Sequence, residues 1–253
     1  MDVLVCVKRV PVTGGRISLT DDEQDIDTRY LGFTVSPHEE CAVEEAVRLV
    51  EAHGGSSTVL TLGPAVAEEQ LRDAMSMGAN RAVQIEAEGP GWDGGATAAA
   101  IARAIGDAGV EYDLLLFGNE SADAGGYQVG IRVAHLLDLP CVTGVKHLEI
   151  RDGSAVARRE GPGGFEIYEV PLPAVITVKE GINLPRYPSI PGRLRAKKAP
   201  VERLHLDAPQ PGLEKIRLRL PQGREKQVEI LGDGAAGVER AVEVLRQIGV
   251  MPS

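Results

Sequence analysis

Tyr112-Asp-Leu-Leu-Leu-Phe117 runs directly into Gly118-Asn-Glu-Ser-Ala-Asp-Ala-Gly-Gly-Tyr-Gln-Val-Gly-Ile-Arg-Val-Ala-His-Leu-Leu-Asp-Leu-Pro140, and the junction between the two stretches decides the fold. The first is a short apolar run of the buried-strand kind. In the second, Val129, Val133, Leu136 and Leu137 recur at i, i+4, i+7 and i+8, the spacing of one helix face. The linking loop is small and glycine-rich. Its Ser121, Asp123, Gly125 and Gly126 are suited to cap the helix and to let backbone approach a ligand, which fits an anion such as a phosphate. An ordinary capped strand-to-helix turn would carry the same residues. The spacing is neither GxGxxG nor GxxxxGK[ST], so a standard dinucleotide fingerprint and a Walker loop are both absent.

The same alternation extends toward the N-terminus. Val3 to Val7 reads as a strand, followed by a polar excursion to about Gly32. Pro37 opens a helix striped by Val43, Ala46, Val47 and Val50, with Glu39, Glu40, Glu44 and Glu45 expected on a solvated side and Gly54-Gly55 as the stop. Thr58 to Leu62 predicts a second strand, and after Gly63-Pro64 a helix places Ala67, Leu71, Ala74 and Met75 inward and stops at Gly78. Ala82 to Ile85 is a third strand, and Ala98, Ile101, Ala102 and Ile105 stripe a third helix. Strands alternating with helices imply an α/β fold, a parallel sheet covered by helices on both faces. Ligands of such sheets bind beyond the carboxyl ends of the strands, which puts the loops after Val7, Leu62 and Phe117 on one rim.

Beyond Pro140 the pattern changes. Val145 to Arg151, Asp152-Gly153 and Ser154 to Arg159 predict a β-hairpin extension; Phe165 to Val170 adds a strand, and Ala174 to Val178 returns to the core. Pro185, Pro188 and Pro191 then predict a stiff, exposed loop over residues 180–198. Five cations, Arg186, Arg193, Arg195, Lys197 and Lys198, concentrate there in an acidic chain, with Ile190 among the prolines. Residues 201–253 read as a C-terminal arm whose helix, striped by Val238, Ala241, Val242 and Leu245, packs on a partner.

Composition narrows the function classes. The chain has 253 residues, 43% of them hydrophobic, enough for one sizeable core. Its formal charge of −10 disfavours bulk attraction to nucleic acid or anionic lipid. No signal peptide or membrane span is legible, so a cytoplasmic location without membrane insertion is expected. Cys6, Cys41 and Cys141 match neither a disulfide framework nor a zinc site, and the scattered histidines suggest no metal. Ser121, Asp123 and His135 could be drawn as a triad, but no Gly-x-Ser-x-Gly elbow supports it, and Asp123 suits a helix cap better. No catalytic residue is assigned.

Together the motifs resemble a family. Val5-Cys-Val-Lys-Arg-Val10, the Pro37 to Leu49 helix, Met77-Gly-Ala-Asn-Arg81, the loop with Asp123 and Gln128-Val-Gly130, Leu172-Pro-Ala-Val175, Pro185-Arg-Tyr187 and Ala196-Lys-Lys198 resemble, in order through about residue 200, the β subunit of electron transfer flavoproteins. The resemblance implies a Rossmann-like three-layer domain of the adenine-nucleotide-binding type over residues 1–200. It also implies an α-subunit partner carrying most of the FAD, and a structural AMP in this chain. The role implied is electron carrier without substrate turnover. Electrons would come from flavin dehydrogenases such as the acyl-CoA dehydrogenases of fatty acid β-oxidation and go to a quinone oxidoreductase or another acceptor. The AMP contacts implied are Cys6, Ser36, Pro37, His38, Glu39, Leu62, Asp123, Ala124, Gly125, Gly126, Tyr127, Gln128, Val129, Gly130, Ile131, Arg132, Val133 and Ala134. The proline-rich loop corresponds to a recognition loop, residues 182–198, with Pro185, Arg186, Tyr187, Ile190 and Pro191 docking on the dehydrogenase and Ile190 entering its pocket.

The chain also departs from the family pattern. Ser36-Pro37-His38 stands where Asn-Pro-Phe is common, and Leu62 where a small or polar residue is frequent. Thr13 replaces a tyrosine that approaches the flavin in some relatives, so no flavin chemistry is assigned there. Bifurcating relatives bind a second FAD in place of AMP; bulky Tyr127 in the loop favours AMP. A stand-alone adenine-nucleotide sensor or an adenylating enzyme is the alternative of another class, and the phosphate loop expected of the latter is missing after Val7.

Overall fold

Short apolar runs and longer helical periods alternate from the first residues, and the fold follows that alternation. A computed structural model of the chain describes residues 1–12, 14, 17–89, 92–206, 212–221 and 229–251; Thr13 lies outside them. In chain order the elements begin with β1 (Asp2–Cys6), β2 (Val10–Pro11), β3 (Phe33–Thr34), α1 (Pro37–His53), β4 (Ser56–Gly63), α2 (Glu68–Met77), β5 (Arg81–Glu86), α3 (Gly94–Asp107) and β6 (Leu114–Gly118). They continue with α4 (Val129–Leu136), β7 (Cys141–Arg151), β8 (Ser154–Gly161), β9 (Gly164–Pro171), β10 (Ala174–Val178), α5 (Ile190–Lys198), β11 (Glu202–His205) and α6 (Val238–Gln247).

A nine-stranded sheet runs in the order β11-β5-β4-β1-β6-β10-β7-β8-β9. Pairings from β11 to β7 are parallel, and β7-β8-β9 is an antiparallel meander. Successive side chains of a strand face opposite sides, so β1 sends Val3 and Val5 toward α1 and α2, and Leu4 and Cys6 toward α3 and α4. β6 does likewise, with Leu114 and Leu116 on one side and Leu115 and Phe117 on the other. Two apolar cores result, one on each face of the sheet, which is the three-layer α/β arrangement read from the sequence. From β1 the chain builds outward through β4 and β5, then returns to add β6 on β1's other side. That reversal leaves a crevice beyond the carboxyl end of β1.

Three local features differ from the sequence reading. β7 starts at Cys141, not Val145, because its first residues pair parallel with Val175 and Ile176 of β10 before the strand enters the hairpin. Two environments along one strand blur its periodicity. β11 joins β5 although Glu202-Arg-Leu-His205 offers only Leu204 to the core; besides backbone pairing, Arg203 Nη1 lies 2.7 Å from Glu86 Oε1, and its other terminal nitrogen pairs with Glu68. Finally, the predicted irregular loop becomes helical from Ile190. Pro191 fits the first turn, where no intrahelical amide is lost, and Ser189 Oγ accepts the Gly192 amide at 3.1 Å.

The glutamates of α1 are not a solvated face. Glu39, Glu44 and Glu45 are buried and each has a partner: Glu39 takes the Ser36 amide, Glu44 takes Arg186, and Glu45 takes Asn183 Nδ2 at 2.8 Å. Residues 1–218 form one compact unit and 219–253 a second. In the second, Arg240 of α6 pairs with Glu229 and Glu243, and no residue of α6 is buried.

Gly78 ends α2 at φ +134°, where an added Cβ would stand 2.9 Å from Val47 Cγ1. Gly78→Ala is expected to destabilise the protein by about 1–3 kcal/mol in denaturant unfolding. Gly106→Ala, in helix α3 with open space around the new methyl, should be neutral or stabilise by up to about 1 kcal/mol.

Candidate functional site

The crevice beyond β1 is a cavity of about 370 Å³. Cys6, Leu60 and Phe117, at or near the ends of β1, β4 and β6, form its inner wall, and the starts of α3 and α4 border it through Gly94, Thr97, Val129 and Gly130. Close packing seats α4: a Cβ on Gly130 would come within 2.9 Å of Thr177 Cγ2 and 3.1 Å of Phe117 Cγ. Glycine there lets the helix start press against the sheet.

The loop from Gly118 to Gln128 is pinned at several points. Ser36 Oγ accepts the Ala122 amide at 3.0 Å, and Lys8 Nζ donates to Asp123 Oδ2 at 2.6 Å, tying the chain after β1 to the loop after β6. Burial alone would raise the Asp123 carboxyl, yet the Lys8 ammonium holds it below the ordinary range. Asp123 therefore does not cap α4, as the sequence suggested; its other oxygen takes the Ala124 amide at 2.8 Å. Gly125 and Tyr127 both adopt φ +54°, the left-handed region, which turns the chain sharply before the helix. Among the described residues, no acceptor takes the amides of Gly126, Tyr127, Gln128, Val129, Gly130 and Ile131. Open amides at a helix start, with the positive end of its dipole, suit an anionic oxygen. Beside them, Gln128 Oε1 is held by Arg132 Nε at 2.8 Å.

Glu39 reaches the cavity from the first turn of α1 and takes the Ser36 amide at 3.2 Å. Burial raises its carboxyl to about 8, against the opposing pull of the Lys8 and Ser36 amides and the Lys8 charge. Burial, reinforced by Glu39, also pushes the Cys6 thiol far above its usual range, which leaves Cys6 an inert wall group. Glu39 approaches the sheet where Gly118 has no side chain; a Cβ there would stand 2.6 Å from Glu39 Cγ.

Of the residues singled out in the sequence, Cys6, Glu39, Leu62, Ala124, Gly126, Tyr127, Gln128, Val129 and Gly130 line this cavity. Ser36, Pro37, His38, Asp123, Gly125, Ile131, Arg132, Val133 and Ala134 do not. Several of these support the wall from behind: Ser36 and Asp123 pin the loop, His38 Nδ1 accepts the Glu180 amide at 2.7 Å, and Val133 and Ala134 belong to the core under α4. The sequence reading missed the wall between β5 and α3, which contributes Ala87, Gly89, Trp92, Gly94 and Thr97. The rule that placed three loops on the rim applies equally to the loop after the third core strand, and it would have found them.

The recognition-loop residues lie elsewhere. Arg186 is bound to α1, with Nε 2.9 Å from Glu44 Oε2 and Nη1 2.6 Å from Glu51 Oε1, and these partners raise its already high pKa. Tyr187 and Ile190 are 88% and 77% exposed, so the loop is anchored at one residue and open at the next. Arg193 stacks on the Tyr187 ring at 5.7 Å. No helix among the described residues is long and apolar enough to cross a membrane.

The fold and the cavity define a doubly wound α/β protein with a crevice at its strand-order switch. Residues 25–209 match the model of the electron transfer flavoprotein domain. Over 258 aligned residues the chain is 36% identical to the electron transfer flavoprotein subunit beta of Bacillus subtilis (strain 168), covering 97% of this chain and 98% of that protein. It is 40% identical over 212 residues to the subunit of the same name from Mycobacterium tuberculosis (strain ATCC 25618 / H37Rv), covering 81% and 79%. The chain belongs to the electron transfer flavoprotein family, as a β subunit.

The raised Glu39 pKa has a stability consequence. Between pH 4.5, the ordinary value, and about 8, the folded state keeps a proton that the unfolded state releases. Stability should fall as pH rises through that window, by at most about 1.4 kcal/mol per pH unit, and level off above it. Glu39→Gln removes this component. Melting temperatures measured from pH 5 to 8 should decline less for the variant than for the wild type; parallel curves would contradict a protonated Glu39.

Proposed function

We propose that this chain is the β half of a two-subunit electron carrier and that its cavity holds a structural AMP. The observation that carries the nucleotide reading is the convergence of Cys6, Glu39, Leu62 and the loop from Ala124 to Gly130 on one cavity that open amides border. The donors fit a phosphate: the amides from Gly126 to Ile131, and Gln128 beside them. The apolar wall of Cys6, Leu60, Leu62 and Phe117 fits a nucleobase. A volume of about 370 Å³ lies near the lower end of small-molecule sites, roughly 300–1,000 Å³, and Tyr127 stands on the rim. Both favour a mononucleotide over a second FAD.

Redox chemistry belongs to an FAD bound mainly by the α subunit, which supplies one- and two-electron steps when present. This chain positions. Its part is to hold α, and the exposed Val238 of α6 with the stripe behind it fits an arm that packs on α. The α5 region serves as the docking element for a flavin dehydrogenase of the acyl-CoA type, with electrons passing on to a quinone oxidoreductase or another acceptor. Anchoring by Arg186 supports that role, because a fixed loop presents Ile190 without a large ordering cost.

Two experiments test the reading. The complex is stripped of AMP in mild denaturant, refolded and melted with added nucleotide. AMP at about 100 times its Kd should add about 2.7 kcal/mol of stability. A larger response to FAD would favour the bifurcating assignment instead. Ile190→Ala should slow reduction by the dehydrogenase about tenfold or more while leaving the complex assembled, measured by stopped-flow flavin bleaching. Unchanged kinetics would remove Ile190 from the docking surface.

A further inference from the structure

α5 has little of its own to keep it helical. Its nine residues, Ile190-Pro-Gly-Arg-Leu-Arg-Ala-Lys-Lys198, include a proline and a glycine, and only Gly192 and Ala196 are buried. So short a helix is marginal by itself in water, and Arg193 and Lys197 put like charges one turn apart. The element is held from outside. Ser189 caps its start, and Gly192 lies so close to α2 that an added Cβ would stand 2.5 Å from the Ser76 carbonyl oxygen.

Arg72 of α2 holds the other end. Its Nη1 donates to the carbonyl oxygens of Ala196 and Ala199, the latter at 3.3 Å. Ala196 is in the last turn of α5 and Ala199 is its C-cap, where carbonyls have no amide four residues on within the helix. A cation there also meets the negative end of the helix dipole. Glu68, one turn earlier on α2, aims the guanidinium: its Oε1 accepts Arg72 Nε at 2.7 Å and pairs with Nη2 as well. Glu68 Oε2 pairs in turn with Arg203 of β11. The hydrogen bond from Arg72 is the main cause that holds the Glu68 carboxyl below its ordinary range, so the anchor stays charged.

A helix held at both ends makes a surface out of separate side chains. Ile190 and Leu194 are four residues apart, which places them on one face of α5, and both are exposed. In an unwound segment they would part. We infer that Arg72 is a positioning residue of the docking surface: by capping α5 from α2 it keeps Leu194 beside Ile190, and the two together meet an apolar patch on the dehydrogenase. This rests on the docking reading above and adds to it a second contact residue and the group that holds it in place.

The test follows flavin reduction in the assembled complex by stopped flow, over a range of concentrations of a pre-reduced acyl-CoA-type dehydrogenase. Wild type is compared with Arg72→Gln, Leu194→Ala and the double variant. Each single variant should raise the half-saturating concentration about fivefold or more and change the limiting rate less than about twofold, and the double variant should be little worse than Leu194→Ala alone. Effects that multiply in the double variant overturn the link from Arg72 to Leu194. An unchanged half-saturating concentration in Arg72→Gln, with or without a slower limiting rate, overturns the positioning role. Should Arg72→Gln fold poorly, Arg72→Lys decides: an ammonium keeps the charge but lacks the fork that serves Glu68 and two carbonyls together, so a smaller shift in the same direction is expected and wild-type behaviour contradicts the inference. Ile190→Ala separates the two levels of the argument. Unchanged kinetics in that variant remove the docking reading and this inference with it, whereas a response there with none in Arg72→Gln strikes this inference alone.

Discussion

Burial of β1 on both faces is the constraint from which the rest of the molecule follows. Val3, Leu4 and Val5 are at most 1% exposed, and their alternating side chains set which helices cover which side of the sheet. With each large apolar side chain worth about 1.5–3 kcal/mol on full burial, a strand at this centre has one stable register. Strand order reverses around it, so its carboxyl end opens into the crevice. The site is thus a by-product of topology before any side chain specialises it.

Specialisation comes from polar groups that fix irregular chain against that frame. Lys8 and Asp123 tie the two loops that flank the cavity, Ser36 holds Ala122, and Glu39 presses into the space left by Gly118. The same logic, displaced along α1, uses Glu44 and Glu45 to hold the segment around Asn183 and Arg186. One helix therefore supports the cavity with its first turn and the exposed α5 region with its later turns. A helix that would look merely acidic links the cavity with the α5 region.

Much of this was legible in the sequence. The strands and helices of the core announced themselves because apolar spacing and glycine stops act locally, as at Gly54 and Gly78. The rim position of the loop after Phe117 followed from topology alone. What was hidden depends on contacts distant in sequence. The burial of Glu44 needs Arg186, 142 residues away, and pairing of β11 with β5 needs Arg203 with Glu86, 117 residues apart. Asp123 looked like a helix cap because its neighbours are local; its true partner, Lys8, is 115 residues distant. Trp92 carried no residue pattern, and only the rim position of the loop after β5 could have placed it at the cavity.

Cavity and open amides support the proposal that this subunit is built around a mononucleotide. Mass spectrometry of the small molecules released by denaturing the freshly purified complex tests it most directly. The account expects AMP at about one per β chain together with the FAD of the α subunit. Two FAD per complex with no AMP, or no adenine nucleotide beyond a single FAD, would contradict it.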